Sequence, residues 1–281
     1  MSCKRYLPPA ALEEFLKELA PHCRKVLGTS VENRSIECIR LGTGPYKVLM
    51  WSQMHGNETT TTKALMDFIP WFLAPSQQAY REAFSLYIIM QLNPDGAHAY
   101  TRENANAIDL NRDALDLLQP ESQLLRATYE EFQPNLCLNL HGQRTLYAAG
   151  KGGPSASLSF LAPAADNART ITPARAQAMQ LIASIADALA EDLPGAIGRY
   201  DDTFNPNCVG DTFTQLGTPT ILFEAGHIGM DYQREQTRSY IFKAYCALFE
   251  TLLNKKTLEV DFYNALPQNS VEFYDCILEG V

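Results

Sequence analysis

Four consecutive residues, His55-Gly56-Asn57-Glu58, bring together two side chains that hold a divalent cation well at neutral pH. An imidazole nitrogen and a carboxylate oxygen three positions apart in a turn can aim at one point, and both suit zinc. Two imidazoles and one carboxylate with a fourth position open form a ligand set that serves catalysis. The chain offers the second imidazole in a matching place. His55 follows the apolar run Val48-Leu49-Met50-Trp51, and His141 follows Leu136-Cys137-Leu138-Asn139-Leu140. Each piece alone also fits a bland reading, either a solvated turn or a histidine satisfied by backbone groups. The elements around them decide whether they can meet.

Those elements alternate between two periodicities. Helical spacing runs over Ala11 to Leu27, Thr59 to Leu73, Glu121 to Phe132, Pro173 to Asp192 and Gln233 to Leu253. Ser35 to Leu41 alternates as a half-buried strand. Buried strands are expected up to Ser52, over Ser85 to Leu92, over Leu136 to Leu140 and over Thr220 to Phe223. Strands that are apolar on both faces and separated by helices imply a mostly parallel sheet covered on both sides. The expected fold is therefore α/β: a single-domain, three-layer α/β/α architecture with a mixed, mostly parallel central sheet. It spans residues 1–281, with a short extension from about residue 257 that holds an extra strand or turn and a helix around Val271 to Leu278. In open parallel sheets, ligands bind beyond the carboxyl ends of the strands. His55, Asn93, His141 and Glu224 fall just past four separate predicted strands, so the strand pattern alone gathers them along one edge.

The net charge of -9 gives no basic stripe for a nucleic-acid partner. No apolar run approaches the roughly 18 residues of a membrane span, and no apolar stretch follows the basic pair near the start as a secretory signal requires. The seven cysteines are scattered without metal or redox spacing, which suggests reduced thiols in a cytoplasmic protein.

The ordered set His55-Gly56-Asn57-Glu58, Asn93-Pro94-Asp95-Gly96, Arg102, Asp109-Leu110-Asn111-Arg112, His141 and Glu224 resembles the M14 zinc carboxypeptidases. Gly28 to Arg34 is similar to an early strand of that family. The likeness runs from about residue 10 to about residue 250. It implies one zinc ion per chain on His55, Glu58 and His141, the His₂Glu set that carboxypeptidase A uses. It implies that Asp109 accepts a hydrogen bond from a ligand imidazole, fixing its tautomer. Asn111 and Arg112 would grip the free carboxylate of the substrate, a task that suits a planar guanidinium fork. Arg102 would stabilise the oxyanion, and Glu224 would act as the general base.

The chain departs from the digestive members of the family in its lack of a disulfide pattern. Those enzymes carry a mobile tyrosine some twenty residues before the base, and Tyr200 is the nearest candidate. Tyr147 is expected on the subsite wall. The specificity pocket is expected around Asn207 to Thr212, where Val209 suggests an apolar floor and Asp211 a basic preference; Arg144 would favour an acidic substrate. His22, His98 and His227 are read as structural, although His98 and His227 stand close enough to the turn and to Glu224 to reach the cleft.

The expected activity is zinc-dependent hydrolysis of the last amide bond of a peptide with a free carboxylate. Two other hydrolases remain open on the same residues: an aspartoacylase or succinylglutamate desuccinylase acting on small acylated amino acids, and a murein-peptide amidase. A peptide-binding protein without turnover is the alternative from another class. It is disfavoured because no ligand and no base is missing.

Overall fold

The computed structural model describes residues 5–274 and 276. Eight strands form one sheet: β1 (Arg24–Thr29), β2 (Ser35–Leu41), β3 (Tyr46–Ser52), β4 (Phe84–Ile89), β5 (Leu136–Gly142), β7 (Leu158–Leu161), β8 (Ile197–Arg199) and β9 (Thr220–Ala225). Their order across the sheet is β1-β2-β4-β3-β5-β9-β7-β8. The central four, β4, β3, β5 and β9, are mutually parallel. Antiparallel pairing appears between β1 and β2, between β2 and β4, and where β7 meets β9. The architecture is thus the expected mixed, mostly parallel α/β sheet.

Alternate residues of the parallel strands feed two apolar layers. Val48, Met50, Leu138, Leu140, Ile221 and Phe223 pack with helices α2 (Thr60–Leu73), α6 (Pro173–Ala188) and α8 (Glu235–Asn254). Leu49, Trp51 and Cys137 pack on the opposite face with α5 (Pro120–Phe132) and α7 (Val209–Gln215). Burial on both faces explains why these strands read as continuous apolar runs. Short helices complete the chain: α1 (Pro9–Glu18), α3 (Gln78–Ala83), α4 (Pro94–Ala99) and α9 (Val260–Ala265).

Several expectations need correction. The helix predicted over Ala11 to Leu27 ends at Glu18, because Pro21 opens a 3-10 turn and Arg24–Thr29 becomes edge strand β1. The tail holds its helix, α9, before its strand. Residues Asn269–Val271 form β10, antiparallel to β6 (Tyr147–Ala149). The helix expected around Val271 to Leu278 is absent over 271–274, and the rest of that span, Cys276 apart, lies outside the described residues. No helix among the described residues is long and apolar enough to cross a membrane.

Candidate metal centre and cleft

The parallel register does what the pattern required. His141 and Glu224 are direct neighbours on β5 and β9, on the last pair but one of the ladder. His55 and Glu58 sit in the turn between β3 and α2, and Asn93 caps α4 after β4, where its Oδ1 accepts the Gly96 N–H at 2.8 Å. Gly56 is packed so closely on the Gly96 backbone that an added Cβ would lie 2.0 Å from its carbonyl carbon. Glycine is therefore required for the turn to approach.

Three ligating groups converge. His55, Glu58 and His141 each offer an atom within 4.8 Å of the others. His55 Nδ1 is 2.9 Å from Glu58 Oε1, His141 Nδ1 is 2.9 Å from Glu58 Oε2, and the two Nδ1 atoms are 3.1 Å apart. On the far side of its ring, His55 Nε2 donates to Asp109 Oδ1 at 2.8 Å. With that proton committed to Asp109, the neutral tautomer turns the His55 Nδ1 lone pair toward Glu58 and His141. Acceptors facing one another at such distances call for a shared cation, so the donor set fits a zinc ion. The Gly142 N–H adds a 3.0 Å bond to Glu58 Oε2.

Electrostatics follow the same lines. Burial opposes the charge on Glu58, but His55 and His141 outweigh it and hold the carboxyl well below the usual range. Burial likewise works against Asp109, and His55 with Arg102 holds it low. His55 is raised, since Glu58 and Asp109 overcome its burial, whereas burial keeps His141 below the ordinary histidine value. Glu224 is pushed well above the carboxylate range, first by burial and then by the charge of Glu58. Its Oε2 is buried without a hydrogen-bond partner, which is costly unless the group works on something in the cleft.

Arg102 reaches Asp109 Oδ2 through Nε at 3.2 Å and Nη2 at 2.9 Å, and Glu58 Oε1 through Nη1 at 3.4 Å. Asn111 and Arg112 lie in a 3-10 turn capped by Asp109. The Val209 N–H, at the start of α7, donates to Asn111 Oδ1 at 3.2 Å, and Arg112 Nη1 donates to the Asn111 carbonyl at 2.8 Å. Tyr147 and Tyr200 meet edge to face with ring centroids 5.2 Å apart. Burial, and then the charge of Glu224, pushes the Tyr200 hydroxyl far up, so it remains a donor. One cleft of about 530 Å³ is lined by the three ligands, Arg102, Asn111, Arg112, Arg144, Tyr147, Tyr200 and Glu224.

Some expected residues lie elsewhere. Val209 is no cleft floor; its side chain is buried with Phe213 in the α5/α7 core, while Cys208, Gly210 and Asp211 line the cleft. Neither His98 nor His227 lines it: His98 borders a separate groove beside α1, and His227 stacks near Tyr232. Sequence reasoning missed Arg234 and Arg5, both of which line the cleft. Arg234 carries a clue, because a basic residue at a helix N-terminus opposes the helix dipole and needs another reason to be there.

Residues 11–148 match the sequence profile of a family described as zinc carboxypeptidase. That segment contains all three ligating residues and the Asn111-Arg112 pair, and stops before Glu224. Carboxypeptidase SOL1 of Arabidopsis thaliana is 26% identical over 163 residues, 49% of this chain and 33% of that protein. Carboxypeptidase 2 of Trichophyton rubrum is 26% identical over 141 residues, 48% of this chain and 24% of that protein. The chain thus spans a third or less of the length of these relatives. In fold, it is similar to a metallo-carboxypeptidase from Burkholderia cenocepacia, with a TM-score of 0.71 at 17% identity over 90% of this chain and 71% of the other. A Pseudomonas aeruginosa metallo-carboxypeptidase gives 0.69 at 19% over 88% and 70%. Residues 11–148 thus carry the sequence pattern of the zinc carboxypeptidases, and the chain shares its fold with solved metallo-carboxypeptidases.

Proposed function

We propose that the protein is a zinc-dependent carboxypeptidase that hydrolyses the last amide bond of a peptide bearing a free carboxylate. The observation that carries this reading is the convergence of His55, Glu58 and His141 beside Glu224, whose buried Oε2 has no hydrogen-bond partner. Zinc held there would supply Lewis acidity, polarising the acyl oxygen and making a water acidic enough to ionise near neutral pH. Glu224 takes a proton from the attacking water and hands it to the leaving nitrogen. Arg102, on the same wall, is within reach to stabilise negative charge on the acyl oxygen, once substrate draws it from Asp109 and Glu58. Asn111 and Arg112 hold the terminal carboxylate, which restricts cleavage to the last residue. Tyr200 covers the bound residue, and its raised hydroxyl donates to it.

The Glu224→Gln variant tests the assignment. Turnover of a peptide with a free C-terminus should fall roughly 10²–10⁴-fold while zinc, assayed by metal analysis, stays at the wild-type ratio. Unchanged turnover in that variant, or rapid wild-type hydrolysis of N-acetylaspartate with no peptide cleavage, would overturn the reading.

A further inference from the structure

The cleft runs from one helical layer to the other. At one end the Asn111 clamp is bonded to the start of α7. At the other end stands Arg234, which caps the start of α8 in the opposite layer. The metal ligands lie between them, at the carboxyl edge of the sheet. A peptide whose terminal carboxylate sits in the clamp and whose scissile bond sits over the ligands must leave past Arg234.

That exit wall is cationic. Arg234 is 3% exposed, and it donates from Nη1 to the Ala225 carbonyl at 2.9 Å and from Nη2 to the Gln143 carbonyl at 2.7 Å. It therefore ties together the two strand ends that carry Glu224 and His141. Its buried Nε has no partner. Arg5, whose charge acts on Arg234, and Arg144, which follows the Gln143 carbonyl that seats Arg234, line the same cleft and are exposed. Among the described residues none of these three makes an ion pair, as is also true of Arg40, Arg81, Arg112 and Arg199, whereas Arg24, Arg34, Arg102, Arg126, Arg169, Arg175 and Arg238 all do. In a chain with 32 acidic residues against 23 basic ones, leaving three arginines together and unpaired is not a neutral outcome. A buried guanidinium hydrogen-bonded only to carbonyls is offset here just by the through-space charge of Glu58 and Glu224, and an anion beside it relieves the remaining cost. Burial, and next the charge of Arg5 alongside, draws Arg234 down to about 10, as expected for cations held close together. The acidic groups lining the cleft are Glu58 and Glu224, whose charges reach Arg234 without pairing it, Asp201, and Asp211 toward Arg112.

We propose that this wall is a subsite for a second carboxylate, so that the preferred substrates carry a glutamate or aspartate within the two positions upstream of the scissile bond, bound by Arg144 and Arg5 in the field of Arg234. The proposal rests on the carboxypeptidase reading for the direction of the peptide.

Zinc-loaded Glu224→Gln protein should be titrated calorimetrically with peptides that share length and last residue and carry Glu, Gln or Lys at the two upstream positions. The glutamate peptide should bind about tenfold tighter than the glutamine peptide at low salt, with the ratio shrinking as salt rises. The ratio should fall close to one when Arg5→Gln and Arg144→Gln are added. Equal binding of the glutamate and glutamine peptides, or a preference that survives in the Arg5/Arg144 variant, overturns the subsite. Parallel assays of the unmodified enzyme separate the two readings. Cleavage of every peptide at the same rate sinks the subsite and leaves the carboxypeptidase intact. A glutamate preference in binding with no cleavage of any peptide does the reverse.

Discussion

The two ends of the cleft are built on different principles. Toward α7, the polar side chains are tied down by hydrogen bonds within the protein. Asn111 is held by the Val209 N–H, Arg112 by the Asn111 carbonyl, and the Asp211 carboxylate accepts the Asn205 N–H at 2.9 Å. Toward α8, Arg234 is held by two backbone carbonyls, while Arg5 and Arg144 extend from the wall into solvent. The contrast teaches that a binding wall can be organised in two ways. One fixes geometry in advance so that a single carboxylate fits one pose, and gains direction from planar hydrogen bonding. The other supplies positive potential with two loose side chains over a fixed charge, and tolerates variation in what arrives.

Substitutions can break this comparison at three levels. The largest effect belongs to the organised end. Arg112→Ala should lower kcat/KM on free-carboxylate peptides on the order of a hundredfold or more, since hydrogen bonds to charged groups are worth about 1.5–3 kcal/mol each. It should have little effect on any residual cleavage of C-terminally amidated peptides, and an equal loss on both would remove Arg112 from the clamp. The next effect lies between the two ends. Asp109→Asn should weaken zinc binding roughly 10–100-fold, measured by competition with a chelator, because His55 loses the acceptor that fixes its tautomer. Unaltered affinity would make Asp109 a cap of the 3-10 turn and nothing more.

The smallest effect concerns the stability of the organised end. Burial pushes the Asp211 carboxyl up to about 6, whereas an unfolded aspartate titrates near 3.9. The folded state therefore holds this proton more tightly. The group favours folding below about pH 4 and loses that contribution as pH rises through 6. Asp211→Asn should accordingly gain about 1–2 kcal/mol over the parent at pH 8 and little at pH 4. Urea unfolding at the two pH values measures the difference, and a gain that is the same at both contradicts the assignment.

Much of the frame was legible in the chain because burial on two faces leaves a simple imprint. Ser35–Leu41 and the helix ending at Leu73 emerge with matching bounds, and the four parallel strands stand where their apolar runs place them. That imprint was enough to bring His55, His141 and Glu224 to one edge. It fails where elements are short or exposed. Strands of three or four residues, such as Tyr147–Ala149 and Ile197–Arg199, carry too little pattern to separate from loop. Apolar spacing through Leu16 and Leu19 carried the first helix past Pro21, although the edge pairing of Arg24–Thr29 with β2 decides that segment. Arg234 was invisible for a different reason. Its position depends on a left-handed backbone at φ 57° and on carbonyls 9 and 91 residues away. Neither leaves a local trace.

The strand near the chain's end reaches further into the molecule than its length suggests. Asn269–Val271 zips onto the short strand that presents Tyr147, and the Asn269 amide donates to the side chains of Gln143 and Ser159. Gln143 is two residues beyond His141, and its carbonyl is one of the two that seat Arg234. A nick or truncation that freed this segment would unfasten a tyrosine at the mouth and loosen the backing of the cationic wall in one stroke. The tail thus acts as a buttress for the binding surface, and its integrity is a condition for the shape of the mouth.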